Sequence, residues 1–219
     1  MKVTVYCLII SVIGENFVRN RGYKYIISNN NAGFLLFCIN GPWINQMLKE
    51  RNIDPKEFRA LNWRDIALAQ SDINVAKLFE RLRPQNFWQM CDVFALSMSE
   101  YFVEDGAVYE EPWFVDYPIF TREDVYEILA DEGVDKSDAI KITDILGKGR
   151  FTSLNVSFRD FLELCDLSDE LVDVILHCKK LVRREDAVVK LLDAATIALA
   201  RKRQMYPVKN KENIKDNND

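Results

Sequence analysis

Four basic side chains, Lys136, Lys141, Lys148 and Arg150, fall within one short stretch that also holds Gly147 and Gly149. Cations beside a glycine suit one kind of chemistry. The side chains attract an anion, and a backbone without a Cβ lets N–H groups approach its oxygens. A second basic set follows at Lys179, Lys180, Arg183 and Arg184. Together with Gly149 these positions are the candidates for gripping phosphate. The implied chemistry is electrostatic recognition, with no bond made or broken.

The elements that must position the first set lie in residues 121–150. Thr121 suits a helix N-cap, with Glu123 and Asp124 in a first turn where negative charge complements the helix dipole. Val125, Ile128 and Leu129 recur at helical spacing. Gly133 ends that helix through a left-handed backbone, and Asp135 or Ser137 caps a second helix bearing Ala139, Ile140, Ile142, Ile145 and Leu146. Gly147 and Gly149 are expected to stop it. The outline is that of a helix-hairpin-helix, a unit associated with nucleic acids, although any short helical hairpin in an all-α protein has the same outline.

Other chemistries find few residues. His177 is the only histidine, so a serine or cysteine nucleophile would have one candidate base, set on a helix with no glycine elbow nearby. It reads as structural. Neither a P-loop nor a Gly-x-Gly-x-x-Gly follows a strand. The pairs Glu104-Asp105 and Glu110-Glu111 sit on an expected loop, without the rigid Asp-x-Asp spacing that two-metal phosphoryl transfer needs, and read as a solvated acidic loop. The expectation is no catalytic residue, no metal and no cofactor.

The chain has 219 residues, 48% hydrophobic and 29% charged, as in ordinary globular proteins with a real core. Its five cysteines are scattered and include no Cys-x-x-Cys, which indicates neither a disulfide framework nor a zinc site and fits a reducing cytoplasm. A net charge of −5 argues against nonspecific coating of nucleic acid, so any such contact has to be local. The charge is uneven. From Lys179 to Lys215 bases outnumber acids, whereas Glu104 to Asp116 is acidic. A solvated helix face with a charged tail explains the basic end as well as a phosphate-binding stripe does.

Residues 1–40 carry β-branched apolar runs at Val3 to Ile13, Tyr23 to Ser28 and Phe34 to Ile39, punctuated by glycine and asparagine, which reads as a small β element. The first run is too short to span a membrane, and Ser11 to Gly14 is a poor signal-cleavage region. From Gly41 the pattern is helical. Ile44, Met47 and Leu48 mark one helix, Asp54-Pro55 opens another, Ile73 to Leu82 is a third, and Phe87 to about Tyr101 a fourth. Residues 104–120 read as a long loop whose Trp113, Phe114, Tyr117 and Phe120 bury against neighbouring helices. After the hairpin, helices are expected at Ser157 to Cys165, Ser168 to Leu181 and Asp186 to Met205, followed by a fraying tail. The expected division is a β-rich segment at 1–40, a helical domain at 41–207 and a disordered tail at 208–219.

Residues of about 53 to 207 resemble the fingers region of the α subunit of bacterial DNA polymerase III, in its PolC type. Four segments carry the likeness in the family's order. NVAKLFERLRPQNFWQMCDVFALSMS, residues 74–99, is similar to an Arg-Pro-x-x-Phe block, with Arg83, Pro84 and Phe87 matching and Leu96-Ser97 after it. REDVYEILADEGVDKSDAIKITDILGKGR, residues 122–150, is similar to the family's helix-hairpin-helix at Asp124, Gly133, Ala139, Lys141, Ile142, Lys148 and Gly149. HCKKL, residues 177–181, resembles a Cys-Lys-Lys-Ile, and the region closes at Tyr206-Pro207 as the family's does.

The departures bear on function. Where the family carries a Lys-Ala-His-Ala-Ala-Ala-Tyr-like run facing the incoming nucleotide, this chain has EDAVVKLL at 185–192. The Gly-Leu-Ser-His-Gly pattern after Leu96-Ser97 is missing, and residues 1–52 are too short to hold the palm domain with its metal-binding aspartates. The resemblance therefore implies a mainly α, fingers-like, non-catalytic, stand-alone DNA- or replication-associated binding module, with primed or single-stranded DNA, or replisome proteins, as its partners. The alternative is a protein-interaction module that mimics fingers to engage a replisome or host protein through Glu104 to Phe120. Neither implies a membrane partner, and both imply a cytoplasmic location.

Overall fold

Capping residues set most of the helix ends. In the computed structural model, residues 41–103, 106–153 and 156–205 are described, with the backbone pairs Ile27–Ser28 and Leu35–Leu36. Those pairs are strands β1 and β2, antiparallel with Ile27 opposite Leu36. They fall in the second and third apolar runs, while the run from Val3 to Ile13 and the tail from Tyr206 lie outside the described residues.

The rest is mainly α, with eleven helices among the described residues. The first five are α1 (Gly41–Glu50), α2 (Pro55–Arg59), α3 (Trp63–Ala69), α4 (Ile73–Leu82) and α5 (Phe87–Met98). Asp54 caps α2 ahead of Pro55, and Asp72 and Asn86 cap α4 and α5 with side-chain oxygens that accept backbone N–H groups. Helix α3 was not expected from periodicity, being only two turns long. A reciprocal capping box between Asn62 and Asp65 defines its start.

Three later boundaries differ from the sequence expectation. Helix α5 stops at Met98, and Glu100–Tyr101 becomes strand β3. The segment expected as a loop contains a 3₁₀ turn at Val108–Glu110 and the short helix α6 (Pro112–Asp116). The helix expected from Ser168 to Leu181 ends at His177, and Cys178–Lys180 forms strand β4, antiparallel to β3. Strands β3 and β4 lie 77 positions apart in register, Tyr101 opposite Cys178, so only the tertiary fold makes these few residues strand.

Helices α7 (Arg122–Asp131) and α8 (Lys136–Lys148) form the hairpin, followed by α9 (Val156–Leu164), α10 (Asp169–His177) and α11 (Arg184–Met205). Two apolar clusters result. One joins α1 to α5 with α11, and the other joins α7 to α10 with Leu181; Tyr101 and Trp113 pack against both. Helix α11 lies chiefly on α5 and α3, and its Ala187, Ala194, Ala195 and Ala198 are small enough to bring those backbones close. Fully buried Phe79 and Phe114 each contribute about 1.5–3 kcal/mol by leaving water. The aromatics of 104–120 are inside as expected, with Phe114 and Phe120 buried and Trp113 and Tyr117 half-buried.

Candidate nucleic-acid interface

The hairpin is built as its sequence suggests. Thr121 and Asp124 form a capping box, Gly133 takes φ +81°, and Asp135 caps α8 by accepting the Ser137 N–H at 2.8 Å. Gly149 ends α8 with φ +88°. Gly147 does not: it lies inside the helix, where a Cβ would sit 2.7 Å from Arg122 Cδ. Its missing side chain leaves room for the half-buried Arg122 of the facing helix.

The candidate residues separate into groups. Gly149 lies against β4, the site of its absent Cβ 3.6 Å from the side-chain carbons of Lys180, and the Arg150 N–H donates to the Lys179 carbonyl at 2.9 Å. Lys148, Gly149, Lys179 and Lys180 are thus neighbours at one end of the hairpin. Lys136 is at the other end of α8, about 18 Å away at 1.5 Å per residue. Lys141 lies between, bound to Asp138 at 2.7 Å and 5.9 Å from the Phe161 ring centre.

Two of the nine are interior arginines. Arg150 is 4% exposed, donates from Nη2 to the Leu176 carbonyl at 2.8 Å, and lies 4.7 Å from the ring centre of Phe158 and 5.5 Å from that of Phe102. Burial pulls its pKa below the ordinary value. Arg184 donates to Asp124 at 2.7 Å and Glu127 at 2.9 Å. Burial works against its charge, but the attractions of Asp124, Glu127 and Glu123 outweigh that and hold its pKa above the usual range. Both point into the protein, away from a surface phosphate.

The remaining cations keep surface positions but mostly have acidic neighbours. Lys148 pairs with Asp144, Lys179 with Glu100 at 2.6 Å, and Arg183 with Asp186 and Glu185. Glu100 is held below the ordinary carboxylate range, first by its hydrogen bond to Lys179 and then by the charges of Lys179 and Lys180. Lys180 itself is exposed and forms no salt bridge among the described residues.

One residue at this end was missed from sequence. Phe151 follows the Gly149-Arg150 exit and is fully exposed, at 101% of its reference area. The signal was its place next to the Lys-Gly-Arg stretch, where Arg150 turns inward to Leu176 and its neighbour is left facing water.

The basic end of α11 has structural partners. Lys202 binds Asp65 at 2.7 Å, Arg203 pairs with Glu57, and the Arg201 guanidinium donates to the Leu68 carbonyl, so this stretch braces α2 and α3. His177 is also structural: it stacks on Trp113 at 4.7 Å, and its Nδ1 lies 3.2 Å from the Phe102 carbonyl. Cys91, Cys165 and Cys178 are free thiols, and burial pushes Cys178 up to about 12. Among the described residues no helix is long and apolar enough to cross a membrane, and no three His, Cys, Asp or Glu side chains group as metal ligands. In comparisons with known proteins, no family model, curated sequence or solved structure matches the chain.

Proposed function

We propose that this chain is a non-catalytic nucleic-acid-binding module, related to polymerase fingers, that engages single-stranded or primed DNA through the end of its helical hairpin. The observation that carries it is one juxtaposition. A fully exposed Phe151 adjoins the Gly149 turn, which is flanked by exposed Lys148 and by Lys180. Lysines beside an aromatic ring that meets water are the parts used to hold an unpaired strand, charge for the phosphates and a flat face for a base. The polymerase resemblance of residues 74–99, 122–150 and 177–181 supports the same reading.

The contact set is smaller than the sequence alone suggests. With Arg150 and Arg184 turned inward, Lys148, Lys179 and Lys180 remain around Gly149. Three phosphate contacts on a single strand give a log–log salt slope of roughly −2. Titrating a fluorescent single strand and its duplex against the full chain over a salt series tests this. A Lys148→Glu/Lys180→Glu double variant is expected to weaken binding more than tenfold and to flatten the slope. Absence of binding at low salt, or binding indifferent to that charge reversal, overturns the proposal.

A further inference from the structure

Helices α3 and α4 line an open groove of about 610 Å³. That size lies within the roughly 300–1,000 Å³ usual for ligand clefts. Trp63 lines it, small Ala67 and Ala76 leave its floor accessible, and Leu68 and Ile73 stand at its edge, 70% and 64% exposed. Two large aliphatic side chains so exposed on adjoining helices, beside a tryptophan, form a contiguous apolar feature of the kind that marks a contact surface.

The charge around the groove selects the occupant. Arg64 and Arg83 line it against a single acid, Glu80. Arg51, Arg81, Arg159, Arg183, Arg184 and Arg203 each close on a carboxylate, whereas Arg64 and Arg83, like Arg59 and Arg201, form no salt bridge among the described residues, and Arg83 donates from Nε to the Glu80 carbonyl at 3.3 Å. Arg64 instead lies over the Trp63 ring, its Cζ 5.2 Å from the centroid, and Arg83 is exposed at the C-cap of α4 with φ 45°. In a chain of net charge −5 this is a local positive rim on an apolar floor. Arginine and tryptophan are each enriched among the few residues that carry most of the binding energy at interfaces.

We propose that this groove docks an acidic amphipathic peptide helix of a partner protein, its aliphatic or aromatic face against Trp63, Leu68 and Ile73 and its carboxylates on Arg64 and Arg83. A peptide fits better than a small molecule because the groove is open. Leu68 and Ile73 line it while 70% and 64% exposed, so a helix laid along the groove covers both. The site is separate from the hairpin end, and the inference stands whether or not the chain binds DNA.

The test is selection of a random helical-peptide library on the immobilised full chain, followed by anisotropy titration of the recovered peptides. The expected result is enrichment of Asp and Glu around apolar residues spaced three and four apart, with affinity reduced at least tenfold by Arg64→Glu and, separately, by Ile73→Ser. Both positions are exposed, and matching thermal melts confirm that each variant is folded. Recovery of basic peptides, or of peptides insensitive to both substitutions, overturns the proposal. So does sedimentation showing that the chain self-associates through this face and is dispersed by Ile73→Ser, because a second copy is then the occupant.

Discussion

Arg184 and Asp124 form a nearly buried ion pair, Nη2 to Oδ1 at 2.7 Å, that ties the first turn of α11 to the first turn of α7. Asp124 also accepts the backbone N–H groups of Phe120 and Thr121, so one carboxylate serves the α7 cap and the contact between the two apolar clusters. Removing one partner leaves the other charge in a desolvated place. Arg184→Ala and Asp124→Asn are each expected to destabilise the fold by about 3–5 kcal/mol in urea titrations. A loss below about 1 kcal/mol for both would show that the pair does not hold α7 to α11.

Glu123, the residue before Asp124, makes the stability of this contact depend on pH. Burial raises its pKa, and the charge and backbone N–H of Arg184 only partly compensate. The unfolded chain therefore releases this proton at a lower pH than the folded one does. Between the unfolded value near 4.5 and the raised folded value, the native state holds more protons, so this group's stabilising contribution falls as pH rises. Glu123→Gln keeps an acceptor for the Arg184 N–H, 2.8 Å away in the parent, and removes the titration. It is expected to match the parent at acid pH and exceed it at neutral pH. A stability difference that stays constant across the range contradicts this.

Much of the hairpin was legible because local chemistry decides it. Thr121 with Asp124, Gly133 and Asp135 act within one turn of their own position, and each performs its expected part. The inward turn of Arg150 was not legible, because it depends on Leu176, 26 residues away, and on the rings of Phe102 and Phe158. Strand β4 escaped for the same reason. Val174 to Leu181 is apolar enough to continue a helix, and only pairing with Glu100–Tyr101 makes Cys178–Lys180 extended. Lys202 and Arg203 have their explanation in acids 137 and 146 residues earlier, and Arg201 in the Leu68 carbonyl.

Gly147 offers a test of the packing between α7 and α8. Replacing a helical glycine with alanine ordinarily gains about 1 kcal/mol. Here the new methyl meets the Arg122 side chain, whose guanidinium is partly desolvated. Gly147→Ala is expected to be neutral or destabilising in the parent and stabilising in an Arg122→Ala background. The cycle should show a coupling of about 0.5–3 kcal/mol between the two sites. Simple additivity sinks the idea that Gly147 is there to admit Arg122.

The last prediction separates structural cations from phosphate contacts. Arg150→Met keeps the apolar packing between Phe102 and Phe158 but removes the donor to the Leu176 carbonyl, a cost of about 1–3 kcal/mol. Lys202→Glu breaks the pair to Asp65, an interaction partly in water and worth about 1 kcal/mol or less. Neither side chain faces the Gly149 turn, so at a temperature where both variants are folded their affinity for a single strand should stay within about twofold of the parent. Phe151→Ala should show the reverse, an unchanged melt because the ring contributes no burial, with a loss of about 1–3 kcal/mol in single-strand binding. If Arg150→Met or Lys202→Glu instead reduces affinity as much as Lys148→Glu/Lys180→Glu does, the interface is wider than the turn and the interior placement of these cations does not decide which of them binds.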